Sequence, residues 1–286
     1  MHTTITSEIV VAYSQCPRKA FLLLCTDEQG MPHEYMRMLE QQKLLNQINY
    51  IQALNAHNQT SFEEQSHSVT DLTQEEDNVL IKAMLKAEGL EAYCDVLTQV
   101  ESSSSLGGSS YEPTIVVGTH SLSKEQELEL VFTGFVLGQM QKKLPVAGHI
   151  VRIGGQVDEL KLEPHYNVLK RFLDPLREWL RAAPSDPPPV ILNRHCPSCQ
   201  FRALCTEKAE TKDDLSLLDR VTPKVMQRYH KKGIFTVTQL SYTFKPRRSR
   251  KPTKKATTPH KLELQALAVR TNKIYIQELP VLSRQW

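Results

Sequence analysis

Three cysteines fall within ten residues in the stretch "HCPSCQFRALC", His195 to Cys205, spaced C-x2-C-x5-C. Thiols gathered this closely are prone to oxidation unless something binds them. Three thiolates leave a tetrahedral centre one ligand short, so a fourth must come from elsewhere. Cys16, in "YSQCPRKAFL" about 180 residues upstream, is the candidate. Zinc sites pair two close halves into one knuckle, whereas three thiolates from one loop and one distant thiolate suit a four-iron cubane. His195 keeps zinc open as the other reading. Cys25 and Cys94 sit in apolar or strand-like surroundings and read as buried thiols.

A chain of 286 residues with 40% hydrophobic content can bury a core as one large domain or two ordinary ones. No run approaches the ~20 apolar residues a membrane span needs. The start, "MHTTITSEIVVAYSQC", lacks the pattern of a signal peptide. The expected compartment is therefore the cytoplasm, where clustered cysteines favour metal or cluster ligation over disulfides. Net charge is +3, but "KPRRSRKPTKK" at 245–255 holds seven Lys or Arg and no acid. The remainder, 28 basic against 32 acidic residues, is about −4. One basic strip is set into an otherwise mildly acidic chain.

Met36, Leu39, Leu45, Ile48, Ile51 and Leu54 recur at mostly three-residue and four-residue intervals, which predicts a long amphipathic helix from Tyr35 to Ala56. The polar stretch that follows, "NQTSFEEQSHSVTDLTQEEDN", reads as loop. Strands are expected at 90–101 and 111–120, joined as a hairpin through "SSSSLGGSS". A helix is expected over 124–142, a strand pair over 149–162, and a helix carrying Leu169, Phe172, Leu173, Leu176, Trp179 and Leu180 that "PSDPPP" must end. Strands alternating with helices indicate a mixed α/β core. Residues 213–241 read as two short helices around a turn, closed by Gly233; the basic strip then reads as an exposed linker, and the last residues as a helix and strand.

"CPRKAFL" followed, after a helix and a proline break, by "CPSCQFRALC" resembles the RecB-like nucleases of the PD-(D/E)XK group, whose four cysteines clasp the two ends of the domain around a [4Fe-4S] cluster. The resemblance implies a restriction-endonuclease-like mixed sheet flanked by helices over 1–210, clasped through Cys16, Cys196, Cys199 and Cys205. A helix–hairpin–helix-like module would follow at 211–244, a basic linker at 245–260 and the start of a further domain at 261–286. Relatives carry a ribonuclease-H-like exonuclease domain there, so such a domain, or a protein partner, is expected beyond Trp286.

The family's chemistry is Mg²⁺- or Mn²⁺-dependent hydrolysis of DNA phosphodiesters. It needs an Asp ending one strand, then a carboxylate and a Lys two residues apart on the next. The resemblance places Asp95, in "YCDVL", at the first position. Where the Glu-x-Lys or Asp-x-Lys should follow, the sequence reads "TIVVGTH", with Val116, Val117 and Gly118. A migrated set is Asp95, Glu112 and Lys124, with His120 as a further metal ligand beside Asp95. Asn46 and Gln47 stand where relatives place a metal-binding His or Glu. The expected function is a RecB-like DNA nuclease with a degenerate centre. The alternatives are a catalytically silent DNA-binding or scaffolding protein and a zinc-binding interaction protein. Lys245, Arg247, Arg248, Arg250 and Lys251, beside Tyr242 and Phe244, are the candidate DNA contacts.

Overall fold

Glu88 and Gly89 both take left-handed backbone angles, φ 48° and 75°, which suits a tight hairpin turn. The turn joins β3 (Val79–Ala87) to β4 (Leu90–Val100) as antiparallel neighbours. The computed structural model describes residues 3–58, 68–69, 79–100, 110–245 and 262–275. Two compact units divide it at Pro188 and Pro189, ahead of the cysteine segment.

The first unit begins with β1 (Ile5–Thr6), α1 (Ser7–Gln15), α2 (Pro17–Cys25), α3 (Glu34–Asn58) and β2 (Ser68–Val69). After β3 and β4 come β5 (Ser110–Val116), α4 (Lys124–Met140), β6 (Ala147–Val151), β7 (Val157–Lys161) and α5 (Glu163–Arg181). The strands form one mixed sheet in the order β2-β3-β4-β5-β6-β7, with β1 beside β4. β2 runs parallel to β3 and β5 parallel to β6; β3–β4, β4–β5 and β6–β7 are antiparallel. Parallel β5 and β6 need a crossover, and α4 supplies it. Helix α4 starts on a capping box: Gln126 N–H donates to Ser123 Oγ while Ser123 N–H donates to Gln126 Oε1. It then buries Leu130 to Gly138 between the sheet and helices α1 and α5.

The architecture is therefore a mixed α/β sheet flanked by helices, as the alternation of elements predicts. Like β1, α1, α2 and β2, strand β3 is an element the spacing does not predict. Its residues, "VLIKAMLKA", include good helix formers, and pairing with β4 decides their state. The connection between β4 and β5, and most of the polar stretch after α3, lie outside the described residues.

Helix α3 forms, but only part of the expected apolar set packs. Leu39, Ile51 and Leu54 are half-buried, Met36, Leu45 and Ile48 are 45%, 61% and 53% exposed, and Asn46 is buried. The reason is the surface it covers. Asn46 Nδ2 donates to the Val117 carbonyl at 2.8 Å, and Gln47 to a buried carboxylate, so the packed side must carry donors.

The second unit holds a 3₁₀ turn at Cys196–Ser198, α6 (Arg202–Thr211), a 3₁₀ turn at Leu215–Leu217, α7 (Pro223–His230), α8 (Val237–Ser241) and α9 (Leu262–Thr271). Its own small core forms around Leu215, Leu218, Met226, Val237, Leu240 and Ala266. The two short helices around a turn stand where the sequence predicts them. No described helix is long and apolar enough to cross a membrane.

Candidate functional site

Asp95 lies at a place where β3 and β4 change face together. Leu80 and Ala83 on β3, and their partners Leu97 and Cys94 on β4, all join one core. Residues three apart on an unbroken strand point to opposite faces, so both strands must turn between them. Lys82, left-handed at φ 55°, marks the turn on β3. Asp95 lies between the paired positions Val96 (opposite Ile81) and Cys94 (opposite Ala83), where the ladder skips a pair, and is 1% exposed.

The buried carboxylate has two hydrogen bonds. Val116 N–H donates to Oδ2 at 2.6 Å, just beyond the point where the β4–β5 ladder ends at Val96 opposite Thr114. Gln47 Nε2 donates to Oδ1 at 2.7 Å. Lys43, one turn earlier on α3, reaches Glu129 on α4, Nζ to Oε1 at 3.2 Å. Burial pushes Asp95 up to about 6, and the Val116 N–H, the Lys43 charge and Gln47 hold it from going higher. Burial alone would lower Lys43, but the Glu129 and Asp95 charges carry it upward, so it stays an ammonium.

Gly118 fixes how closely α3 approaches. A Cβ at this position would stand 2.6 Å from both Leu39 O and Lys43 N, backbone atoms of α3. The "VVG" that replaces the expected charged pair thus serves close packing. A carboxylate and a lysine reappear beside Asp95 from two helices, as Glu129 and Lys43. Sequence reading passed over both. The available signal was the polar set Lys43, Asn46 and Gln47 at one-turn spacing on α3.

The other candidate residues lie apart from this constellation. Glu112 is half-buried within β5, opposite Thr98, and Lys124 is the exposed first residue of α4. His120 is exposed, and its carbonyl accepts from Arg152 Nη1, whose guanidinium also grips Asp158. Among the described residues no three His, Cys, Asp or Glu side chains gather closely enough to hold a metal ion.

Cys16 is the hinge between α1 and α2. Its N–H donates to Ala12 O, closing one helix, and its carbonyl accepts from Ala20 N–H, opening the next. In the second unit, Cys196 and Cys199 bracket a 3₁₀ turn, with Cys199 N–H donating to Cys196 O. Asn193 N–H donates to Cys196 Sγ at 3.2 Å, and Cys205 sits in the first turn of α6. All three thiols are half-buried and none is in a disulfide. Cysteine sulfur is the donor type of an iron–sulfur cluster, but among the described residues these cysteines do not gather into a group that could hold a metal ion.

Charge divides between the units. Residues 1–188 hold 15 Lys and Arg against 25 Asp and Glu, a formal −10; residues 189–286 hold 20 against 7, a formal +13. In the turn "DRVTPK", Arg220 takes φ 61°, the left-handed conformation a glycine adopts freely. Thr222 Oγ1 then caps α7 by accepting from Val225 N–H. Lys245 is exposed; Arg247, Arg248, Arg250 and Lys251 lie outside the described residues. No known family model matches the sequence, and no curated protein matches it.

Proposed function

We propose that this protein binds nucleic acid on a RecB-like, PD-(D/E)XK-type framework whose acid–lysine centre is held closed by its own side chains. The Gln47 amide on Asp95 Oδ1 carries this reading. A divalent cation would bind that oxygen, and a neutral donor from α3 holds it instead, while the Lys43 ammonium neutralises Glu129. The +13 charge of residues 189–286 supports nucleic acid as the partner. The cysteine spacing supports a structural [4Fe-4S] cluster on Cys196, Cys199 and Cys205, with Cys16 proposed from the sequence as the fourth ligand. Such a cluster would supply folding energy.

The convergence of Asp95, Glu129 and Lys43 favours a second reading, a working Mg²⁺-dependent nuclease. Both carboxylates would then hold the cation, and Lys43 would orient the attacking water. One experiment separates them. Anaerobically purified protein is incubated with labelled single-stranded and duplex DNA and Mg²⁺ or Mn²⁺, beside Asp95→Asn. Binding without cleavage is the expected result. Cleavage that Asp95→Asn abolishes would overturn the closed-centre reading in favour of the nuclease.

A further inference from the structure

Two aromatic rings of the second unit stand exposed although their backbone is firmly held. Phe235 is 53% and Tyr242 71% exposed. They bracket the five-residue helix α8, seven residues apart in the chain. Phe235 N–H donates to Gln239 Oε1 at 2.7 Å, beside the capping box in which Thr236 and Gln239 start α8. Asp213 adds an anchor, its Oδ2 accepting from Thr238 N–H and its carbonyl from Val237 N–H.

Each ring already carries a planar neighbour. Gly233, at φ 75°, turns the chain after α7 so that His230 stacks on Phe235, centroids 5.1 Å apart and 30° from parallel. The Arg270 guanidinium from α9 lies 4.0 Å above the Tyr242 ring. Neither Phe235 nor Tyr242 belongs to the unit's core. Ordered, open aromatic faces in a strongly basic unit match the stacking platforms that bind unpaired bases. A duplex offers such rings little, because its base faces are already stacked on one another.

We infer that residues 189–286 bind single-stranded nucleic acid, with Phe235 and Tyr242 each stacking on an unpaired base and His230 and Arg270 supporting the rings. This rests on the nucleic-acid reading above and names its substrate class. The test is fluorescence anisotropy of the full chain with a labelled dT20 strand and a labelled 20-base-pair duplex, at low and at physiological salt. The single strand is expected to bind more tightly. Phe235→Ala and Tyr242→Ala should each weaken it about tenfold, while Phe235→Trp and Tyr242→Trp should retain binding. Duplex binding as tight as single-strand binding, or alanine variants that bind like the parent, would overturn this inference and leave nucleic-acid binding standing. Binding to neither oligonucleotide would overturn both.

Discussion

Gln47 on α3 and Asp95 on β4 are joined by a 2.7 Å hydrogen bond from amide to carboxylate, across 48 residues of chain. Asp95 is buried, and among the described residues no cation forms an ion pair with it, which makes the centre testable.

The first consequence is a pH dependence of stability. Asp95 ordinarily titrates near 3.8 and is pushed up to about 6 in the fold, so the folded state binds its proton more tightly than the unfolded chain does. Stability from this group is full below about pH 4, falls as pH rises through about 6, and stays reduced above it. Two pH units correspond to roughly 3 kcal/mol. Asp95→Asn removes the titration. Its oxygen can still accept from Val116 N–H, and a rotated Gln47 can accept from its amide. Urea midpoints between pH 4 and 8 should fall for the parent and stay flatter for the variant; parallel slopes would exclude Asp95 as the source.

Gln47→Glu sets a carboxylate against Asp95 with Glu129 close by. The variant should be less stable than the parent without metal and should regain stability with millimolar Mn²⁺, because a ligand that binds only the folded state stabilises it. Thermal melts with and without Mn²⁺ read this directly. A variant whose melting point ignores Mn²⁺ would show that Asp95 and Glu129 do not share a cation-sized space.

Gly118→Ala drives a methyl group into the α3 backbone at 2.6 Å from two atoms. Neither is the end of a flexible side chain, so the helix must move. The expected cost is about 1–3 kcal/mol, with faster hydrogen exchange in α3 and in the Val116 amide. Unchanged exchange in α3 would count against the close approach.

The cysteines predict composition. Protein purified without oxygen should carry about four iron and four acid-labile sulfide per chain, and Cys199→Ser should lose most of both. Cys16→Ala should lose cluster and lower stability together if Cys16 is the fourth ligand. One zinc and no sulfide would replace the cluster with a zinc site.

Much of the framework was legible in the sequence because it depends on local chemistry. The helical spacing over 124–142, the leucine stripe of α5 ahead of "PSDPPP" and the turn at Gly233 each specify their element from nearby residues. The buried side of α3 was not legible. The sheet presents a carboxylate and carbonyls that need donors, so Lys43, Asn46 and Gln47 pack with Leu39, Ile51 and Leu54, while Met36, Leu45 and Ile48 are left exposed.

The sequence by itself determined the spacing of the cysteines, the placement of the basic residues toward the C-terminal half, the alternation of strands with helices, and the uncharged "VVG" on the strand after Asp95. Only the tertiary structure decided what surrounds Asp95. Lys43, Gln47, Val116 and Glu129 come from three elements, and Lys43 and Glu129 are 86 residues apart. No local pattern encodes such a meeting; it follows from a kink shared by β3 and β4 and from a glycine that admits α3 to the sheet. The same holds for the rings of Phe235 and Tyr242, whose stacking partners are set by a turn and by a helix that begins 20 residues after Tyr242.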